Sequence, residues 1–191
     1  MESIARGSIL LVGMRGSGKS SVGAAVARTL GVDFVDLDAE VLAREGFESV
    51  RAMWDAKGQG AFRDAEVRAL RALLDEPVGR VLALGGGTPT APGATELIDD
   101  AKREGRAFVV YLRCDLATLE SRLRASLAQD ANRPSVTGAD PVRELSELLR
   151  AREPVYRAIS DVEVDGDQGT LEEVAARVAA LLKPPGDTGR R

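Results

Sequence analysis

Gly13-Met14-Arg15-Gly16-Ser17-Gly18-Lys19-Ser20 matches the phosphate-cradling pattern G-x-x-x-x-G-K-[ST] at every position. The apolar run Ile9-Leu10-Leu11-Val12 enters it as a buried strand would, and Val22, Val26 and Leu30 leave it roughly one helical turn apart. That order of strand, loop and helix is what separates a phosphate site from an ordinary glycine-rich turn. Glycines let successive backbone N–H groups converge on phosphate oxygens at the positive end of a helix. Lys19 adds a mobile positive charge for the β- and γ-phosphates, and the Ser20 hydroxyl suits a Mg²⁺ ligand. The stretch predicts a nucleotide phosphate site.

Working outward, apolar strand-like runs alternate with helical patterns, which predicts a parallel sheet covered on both faces. Strands are expected over 8–12, 33–37, 80–84, 107–112 and 161–164. Helices are expected over 20–30, 39–45, 50–56, 61–74, 95–103, 116–127, 141–159 and 170–182, the last opened by the capping-box spacing of Thr170 and Glu173. Gly31, Gly46, Gly58 and Gly105 each follow a helical run, where a left-handed closing residue is expected. Residues 128–140 are polar, contain Asn132-Arg133-Pro134, and interrupt two good helices, the pattern of a lid. The reading is one domain over 1–183, with a disordered tail over 184–191 that is rich in Pro and Gly.

A chain of 191 residues with 44% hydrophobic and 29% charged residues has the size and composition of a single globular domain with a full core. A net charge of −4 offers no electrostatic footprint for nucleic acid or an anionic membrane. No apolar run approaches bilayer length, and the N-terminal residues lack the apolar core of a signal peptide. The single cysteine, Cys114, excludes an internal disulfide, suits a reducing compartment and reads as a small filler residue. The expected location is the cytoplasm. With no histidine in the chain, any general base is a carboxylate, Lys, Tyr or the one Cys.

In open α/β sheets, ligands bind beyond the carboxyl ends of the strands, so the polar residues there are the candidates. The second strand runs into Asp36-Leu37-Asp38, and carboxylates two apart on an extended segment point to the same side. Asp36 suits Mg²⁺ held through water, and Asp38, further out, suits acceptance of a proton from a substrate hydroxyl. The third strand runs into Gly85-Gly86-Gly87, which allows close approach of a ligand to backbone N–H groups. Arg63 and Glu66 are one helical turn apart, and spacing alone reads them as a surface ion pair. Arg152, in Arg152-Glu153-Pro154-Val155-Tyr156, is unremarkable alone, although arginine is the side chain best shaped to grip a carboxylate.

Taken together, these motifs resemble the shikimate kinase family. The resemblance rests on the phosphate loop, Asp-x-Asp, Gly-x-x-x-Phe-Arg-x-x-Glu from Gly58 to Glu66, Gly-Gly-Gly, lid Arg-Pro and Arg-x-Pro-x-Tyr, in order across roughly residues 7–182. It implies a nucleoside-monophosphate-kinase-like fold, a five-stranded parallel sheet in the order 2-3-1-4-5, and a monomer acting on ATP and shikimate with Mg²⁺. By the same resemblance, Gly16, Ser17, Gly18, Lys19, Ser20 and Ser21 bind ATP phosphates, with Ser20 also on the metal. Asp38 hydrogen-bonds the substrate ring hydroxyls and serves as base or orienting group. Arg63 and Arg152 clamp the carboxylate, Gly86 lends a backbone contact, Glu66 holds Arg63, and Arg133 meets the ATP phosphates from the lid.

The chain departs from the family pattern at Ser135-Val136, where two leucines usually follow Arg-Pro, and at 165–168, which lacks a basic residue some relatives place near adenine. Two rival readings stand beside this one. Another small-molecule kinase of the same fold, such as a gluconate kinase, would not call for Gly-Gly-Gly together with the Phe-Arg-x-x-Glu helix. A non-catalytic nucleotide-binding module would not need Lys19, Asp38, Arg63, Arg133 and Arg152 all at once.

Overall fold

β1 (Ser8–Val12) reads Ser-Ile-Leu-Leu-Val and is buried along its whole length, with no polar alternation. Such a strand needs cover on both faces, and it has it. Leu10 and Val12 point into one apolar cluster, Ile9 and Leu11 into another, as the two-residue period of a strand requires. The computed structural model of the protein describes residues 7–127 and 141–181. The expected lid over 128–140, Arg133 within it and the tail from 184 lie outside the described residues.

After β1 the chain forms α1 (Lys19–Leu30), β2 (Phe34–Asp36), α2 (Leu37–Glu45) and the long α3 (Val50–Asp75). β3 (Val81–Ala83) leads through a short 3₁₀ turn (Thr88–Thr90) to α4 (Ala94–Arg103) and β4 (Ala107–Arg113). α5 (Leu116–Leu127), α6 (Pro141–Ile159), β5 (Val162–Asp165) and α7 (Leu171–Leu181) complete the order. All strand pairs are parallel, in the order β2-β3-β1-β4-β5, as the family resemblance implies. Leu11 sits centrally, opposite Ala83 on one side and Val110 on the other.

The cluster around Ile9 and Leu11 is closed by α1 and α7 through Val22, Val26, Val174 and Val178. The cluster around Leu10 and Val12 takes Phe62, Leu70 and Leu73 from α3, Ile98 from α4 and Tyr156 from α6. Helices on both faces of the sheet leave the strand carboxyl ends open, and the site forms there.

α3 is one run only by hydrogen bonding. Its backbone leaves the helix at Gly58 (φ 82°, ψ 162°), so two helices meet at an angle, as the separate patterns over 50–56 and 61–74 predict. Gly31 and Gly46 close α1 and α2 in the left-handed conformation. The capping box before α7 forms as expected: Glu173 N–H donates to Thr170 Oγ1, and Thr170 N–H to Glu173 Oε2.

Within α1, Gly23 packs where a side chain has no room. A Cβ there would stand 2.6 Å from Phe34 Cε2 and 3.1 Å from Leu11 Cδ1. Gly23→Val is expected to lower unfolding stability by about 1–3 kcal/mol through overpacking. Urea denaturation measures it, and a midpoint equal to that of the unsubstituted chain would refute the tight α1–sheet fit.

Candidate active site

The phosphate loop leaves β1 at Gly13 and turns back into α1. Ser17 N–H donates to Met14 O at 3.1 Å, and Val22 N–H to Gly18 O at 2.8 Å. Gly16 (φ 85°) and Gly18 (φ 94°) take backbone conformations that side-chain-bearing residues rarely adopt, which explains glycine at both. Lys19 opens α1 and is nearly buried. Its ammonium folds back over the loop, donating to Gly13 O at 3.0 Å and Met14 O at 2.9 Å. Ser20 and Ser21, at the first turn of α1, face solvent at the mouth of a cleft of about 220 Å³. Gly16, Gly18, Lys19, Asp36, Asp38 and Gly85 also line that cleft.

The extended Asp-x-Asp arrangement does not form. β2 ends at Asp36, and Asp38 lies in the first turn of α2. The reason is local: Asp36 caps the helix, its Oδ1 accepting from the backbone N–H of Asp38 at 3.1 Å and of Ala39 at 3.4 Å. The cap turns the chain, and residues two apart on a helix diverge. Asp36 Oδ2 accepts from Ser20 Oγ at 2.6 Å. Asp38 instead reaches across to the end of β3. The two carboxylates are thereby given to different neighbours.

Asp36 Oδ2 and Ser20 Oγ form a small pair of hard oxygen donors beside the phosphate loop. Among the described residues there is no group of three or more His, Cys, Asp or Glu fit to cage a metal. Two oxygens next to a phosphate cradle suit Mg²⁺, which keeps several waters and takes its other ligands from substrate phosphates.

The glycine triplet is the junction of the site. A Cβ on Gly85 would fall on Glu66 Oε1 and Asp38 Oδ1, and one on Gly87 would fall on the Arg63 guanidinium. A Cβ on Gly86 would stand 3.4 Å from the Arg15 amide nitrogen, 3.5 Å from Gly13 O and 3.7 Å from Arg152 Nη1. Asp38 from α2, Arg63 from α3 and Arg152 from α6 therefore converge beside the phosphate loop. The space expected for a ligand at Gly85 and Gly87 is taken by the protein's own side chains. Gly86 is the member that meets Arg152 and the loop.

The Arg63–Glu66 pair is not on the surface. Glu66 is fully buried, and the Arg63 side chain is 16% exposed. Helical spacing is correct, but the face it occupies points at the sheet end, which spacing cannot reveal. One carboxylate oxygen of Glu66 accepts from Arg63 Nη1 and the other from Thr88 Oγ1. Burial pushes the Glu66 carboxyl above the usual carboxylate range, and the Asp38 charge adds to this. The Arg63 guanidinium and the two hydrogen bonds oppose the shift.

Thr88, Tyr156 and Arg122 carry no role in the sequence reading, yet all three touch the site. Tyr156, fully buried against Tyr111 with ring centroids 5.4 Å apart, donates its hydroxyl to Gly86 O. Burial pushes that phenol up to about 12, so it stays a neutral donor. Arg122 on α5 donates to Gly16 O and Ser17 O, each at 3.4 Å, and to Gly166 O at 3.1 Å. The sequence signals for two of them are thin: Thr88 directly follows the glycine triplet, and Tyr156 is one helical turn beyond Arg152. Cys114 is buried beneath the loop, its Sγ 3.6 Å from Ser17 O, and burial raises its thiol to about 12. It is the inert filler that its position predicts.

A phosphate loop at the open end of a 2-3-1-4-5 parallel sheet, facing a carboxylate and paired arginines, defines a phosphotransferase of the phosphate-loop kinase class. Comparison with known proteins narrows the class. A family model described as shikimate kinase matches residues 15–183. The chain is 38% identical to the shikimate kinase of Halorhodospira halophila over 178 residues, 92% of this chain and 93% of that one. It is 40% identical to the shikimate kinase of Pseudomonas syringae pv. tomato, covering 93% of this chain and 98% of that one. The solved structure of the Acinetobacter baumannii shikimate kinase in complex with shikimate superposes with a TM-score of 0.81 at 30% identity, covering 94% of each chain. The chain belongs to the shikimate kinase family.

Glu66 should leave a signature in the pH dependence of stability. Its folded-state pKa lies above the ordinary value of 4.5, so the native state holds a proton that the unfolded chain has already released. Stability therefore falls as pH rises from about 4.5 through the raised value. Glu66→Gln is expected to remove that part of the slope. Urea unfolding of both proteins in steps upward from the ordinary carboxylate range measures it, and parallel profiles would contradict the assignment.

Proposed function

We propose that this chain transfers the γ-phosphoryl group of ATP to the 3-hydroxyl of shikimate, giving shikimate 3-phosphate and ADP. The observation that carries this reading is the meeting of Asp38, Arg63 and Arg152 at the glycine triplet beside the phosphate loop. Family membership supports it. The same reading takes the enzyme as a single-domain cytoplasmic monomer, independent of nucleic acid and membrane. None of the described helices is long and apolar enough to cross a bilayer.

In this mechanism the backbone N–H groups of Gly16–Ser21 cradle the triphosphate at the N-terminus of α1. Lys19 leaves the carbonyls of Gly13 and Met14 for phosphate oxygens. Arg63 and Arg152 grip the shikimate carboxylate, Gly86 offers a backbone contact, and Glu66 holds Arg63 in place. Asp38 orients the attacking hydroxyl and accepts its proton as the oxygen–phosphorus bond forms and the bond to the β-phosphate oxygen breaks. Lys19 and the lid residue Arg133 spread the charge that develops on the transferred group. Ser20, directly, and Asp36, through water, would hold Mg²⁺, which supplies charge neutralisation at the β- and γ-phosphates when bound. Little covalent work falls to the protein, so positioning and electrostatics dominate.

A coupled assay of ADP release, with ATP and shikimate and with or without Mg²⁺, tests the reading directly. Turnover should need all three, and ADP release indifferent to shikimate would overturn it. Asp38→Asn is expected to lower kcat by about 10²–10⁴-fold while the fold persists, as for loss of a general base. Near-normal turnover would remove Asp38 from the chemistry. Arg63→Lys keeps a cation for Glu66 but loses the forked donor, and should raise KM for shikimate by about 10–100-fold with KM for ATP almost unchanged. An unaltered shikimate KM would mean that Arg63 does not grip the substrate.

A further inference from the structure

Thr88 is fully buried, directly after the glycine triplet, and its hydroxyl is spent on one acceptor, Glu66 Oε1. Glu66 is fully buried as well, and its other oxygen accepts from Arg63. The position of Gly85 shows how close these groups lie: a Cβ there would touch Glu66 Oε1, Asp38 Oδ1 and, at 2.9 Å, Thr88 Oγ1. Three oxygens therefore crowd one side-chain-free spot, two of them on carboxylates. Thr88 supplies a proton-bearing hydroxyl at that spot.

We propose that Thr88 is a positioning residue for the carboxylate grip: its hydroxyl holds Glu66 so that Glu66 holds Arg63 over Gly87. This rests on the reading of Arg63 as a shikimate-binding residue.

A buried carboxylate oxygen that loses its hydrogen bond carries its desolvation cost uncompensated. Glu66 would relieve this by rotating its carboxyl or by keeping a proton, and either change loosens the hold on Arg63. The guanidinium has little freedom to compensate, since it packs over Gly87, where a Cβ would coincide with it. A small rotation of Glu66 is thus transmitted to the group that grips the substrate. Thr88 itself is anchored, its N–H donating to Gly85 O at 3.0 Å at the start of the 3₁₀ turn. The charged groups facing Glu66 are Arg63 from its own helix and Asp38 from α2.

A merely structural threonine would be matched best by valine, which keeps its shape. A positioning threonine would be matched best by serine, which keeps its hydroxyl. Thr88→Val is therefore expected to raise KM for shikimate by about 10-fold, with kcat and KM for ATP within about twofold, while Thr88→Ser stays within about twofold of the parent throughout. Equal shikimate KM values for Val and parent, or a loss in Ser as large as in Val, overturn the proposal. If Thr88→Val does not fold, Thr88→Ala against Thr88→Ser makes the same comparison with the same expected split. Failure of both Val and Ala to fold makes Thr88 a structural residue and likewise overturns it.

A second readout needs no substrate. The Glu66-dependent loss of stability with rising pH should extend to higher pH in Thr88→Val (or Thr88→Ala) and not in Thr88→Ser, because the hydroxyl favours the charged carboxylate. If the parent enzyme leaves shikimate unphosphorylated, the substrate reading fails by itself. The link from Thr88 to Glu66 then stands or falls on that slope alone.

Discussion

At the end of β3 three consecutive residues have no side chain, and four groups from other parts of the chain occupy the space. Asp38 and Glu66 press on Gly85, Arg63 on Gly87, and Arg152 approaches Gly86. Any larger residue at the first or third position would drive a charged group out of place. That close approach is the constraint from which the rest of the site follows. It brings α2, α3 and α6 to one point and holds that point against the phosphate loop, where Gly13 and Arg15 approach Gly86.

The electrostatics of the junction are carried by partners. Glu66 is an acid in a dry place, and such a charge persists only if its oxygens are matched by donors. Arg63 and Thr88 provide the match on either side. Asp38 stands next to this carboxylate, and the Asp36 carboxylate is turned away toward Ser20 and the cap of α2. Separating the acids in this way leaves one beside the glycine triplet and gives the other an oxygen partner at the cleft mouth. Tyr156 completes the arrangement from α6, four residues beyond Arg152, by fixing the carbonyl of Gly86.

The phosphate loop is also stabilised from beneath. Arg122 ties Gly16 and Ser17 to Gly166 after β5, and Cys114 fills the space below Ser17. The loop is thus set into the sheet end from below, while its upper side opens into the cleft. A rigid cradle facing polar side chains on several different helices fits a reaction in which positioning does most of the work.

Much of this was legible in residue order. The phosphate loop, the alternation of strands and helices, the break at Gly58 and the capping box before α7 depend on neighbours close in sequence, so local chemistry is enough to specify them. The strand order 2-3-1-4-5 follows from family resemblance alone, because no local pattern says which strands pair. The pairing of Arg63 with Glu66 was legible too, but its burial was not: a helix face is named core or surface only by what packs on it. Either carboxylate of Asp36-Leu37-Asp38 suits a helix N-cap, and an expected helix start at 39 leaves Asp38 on the extended segment; the fold instead selects Asp36 as the cap, which puts Asp38 in the first turn. Thr88 has no local signal, and Tyr156 stands in Arg-x-Pro-x-Tyr with no role visible, since their partners, Glu66 and Gly86, lie 22 and 70 residues away. Sequence alone determined which chemical groups the protein owns and which short segments fold locally. Tertiary structure decided which of those groups share a dry junction, because burial and hydrogen-bond partnership are properties of contacts between distant segments.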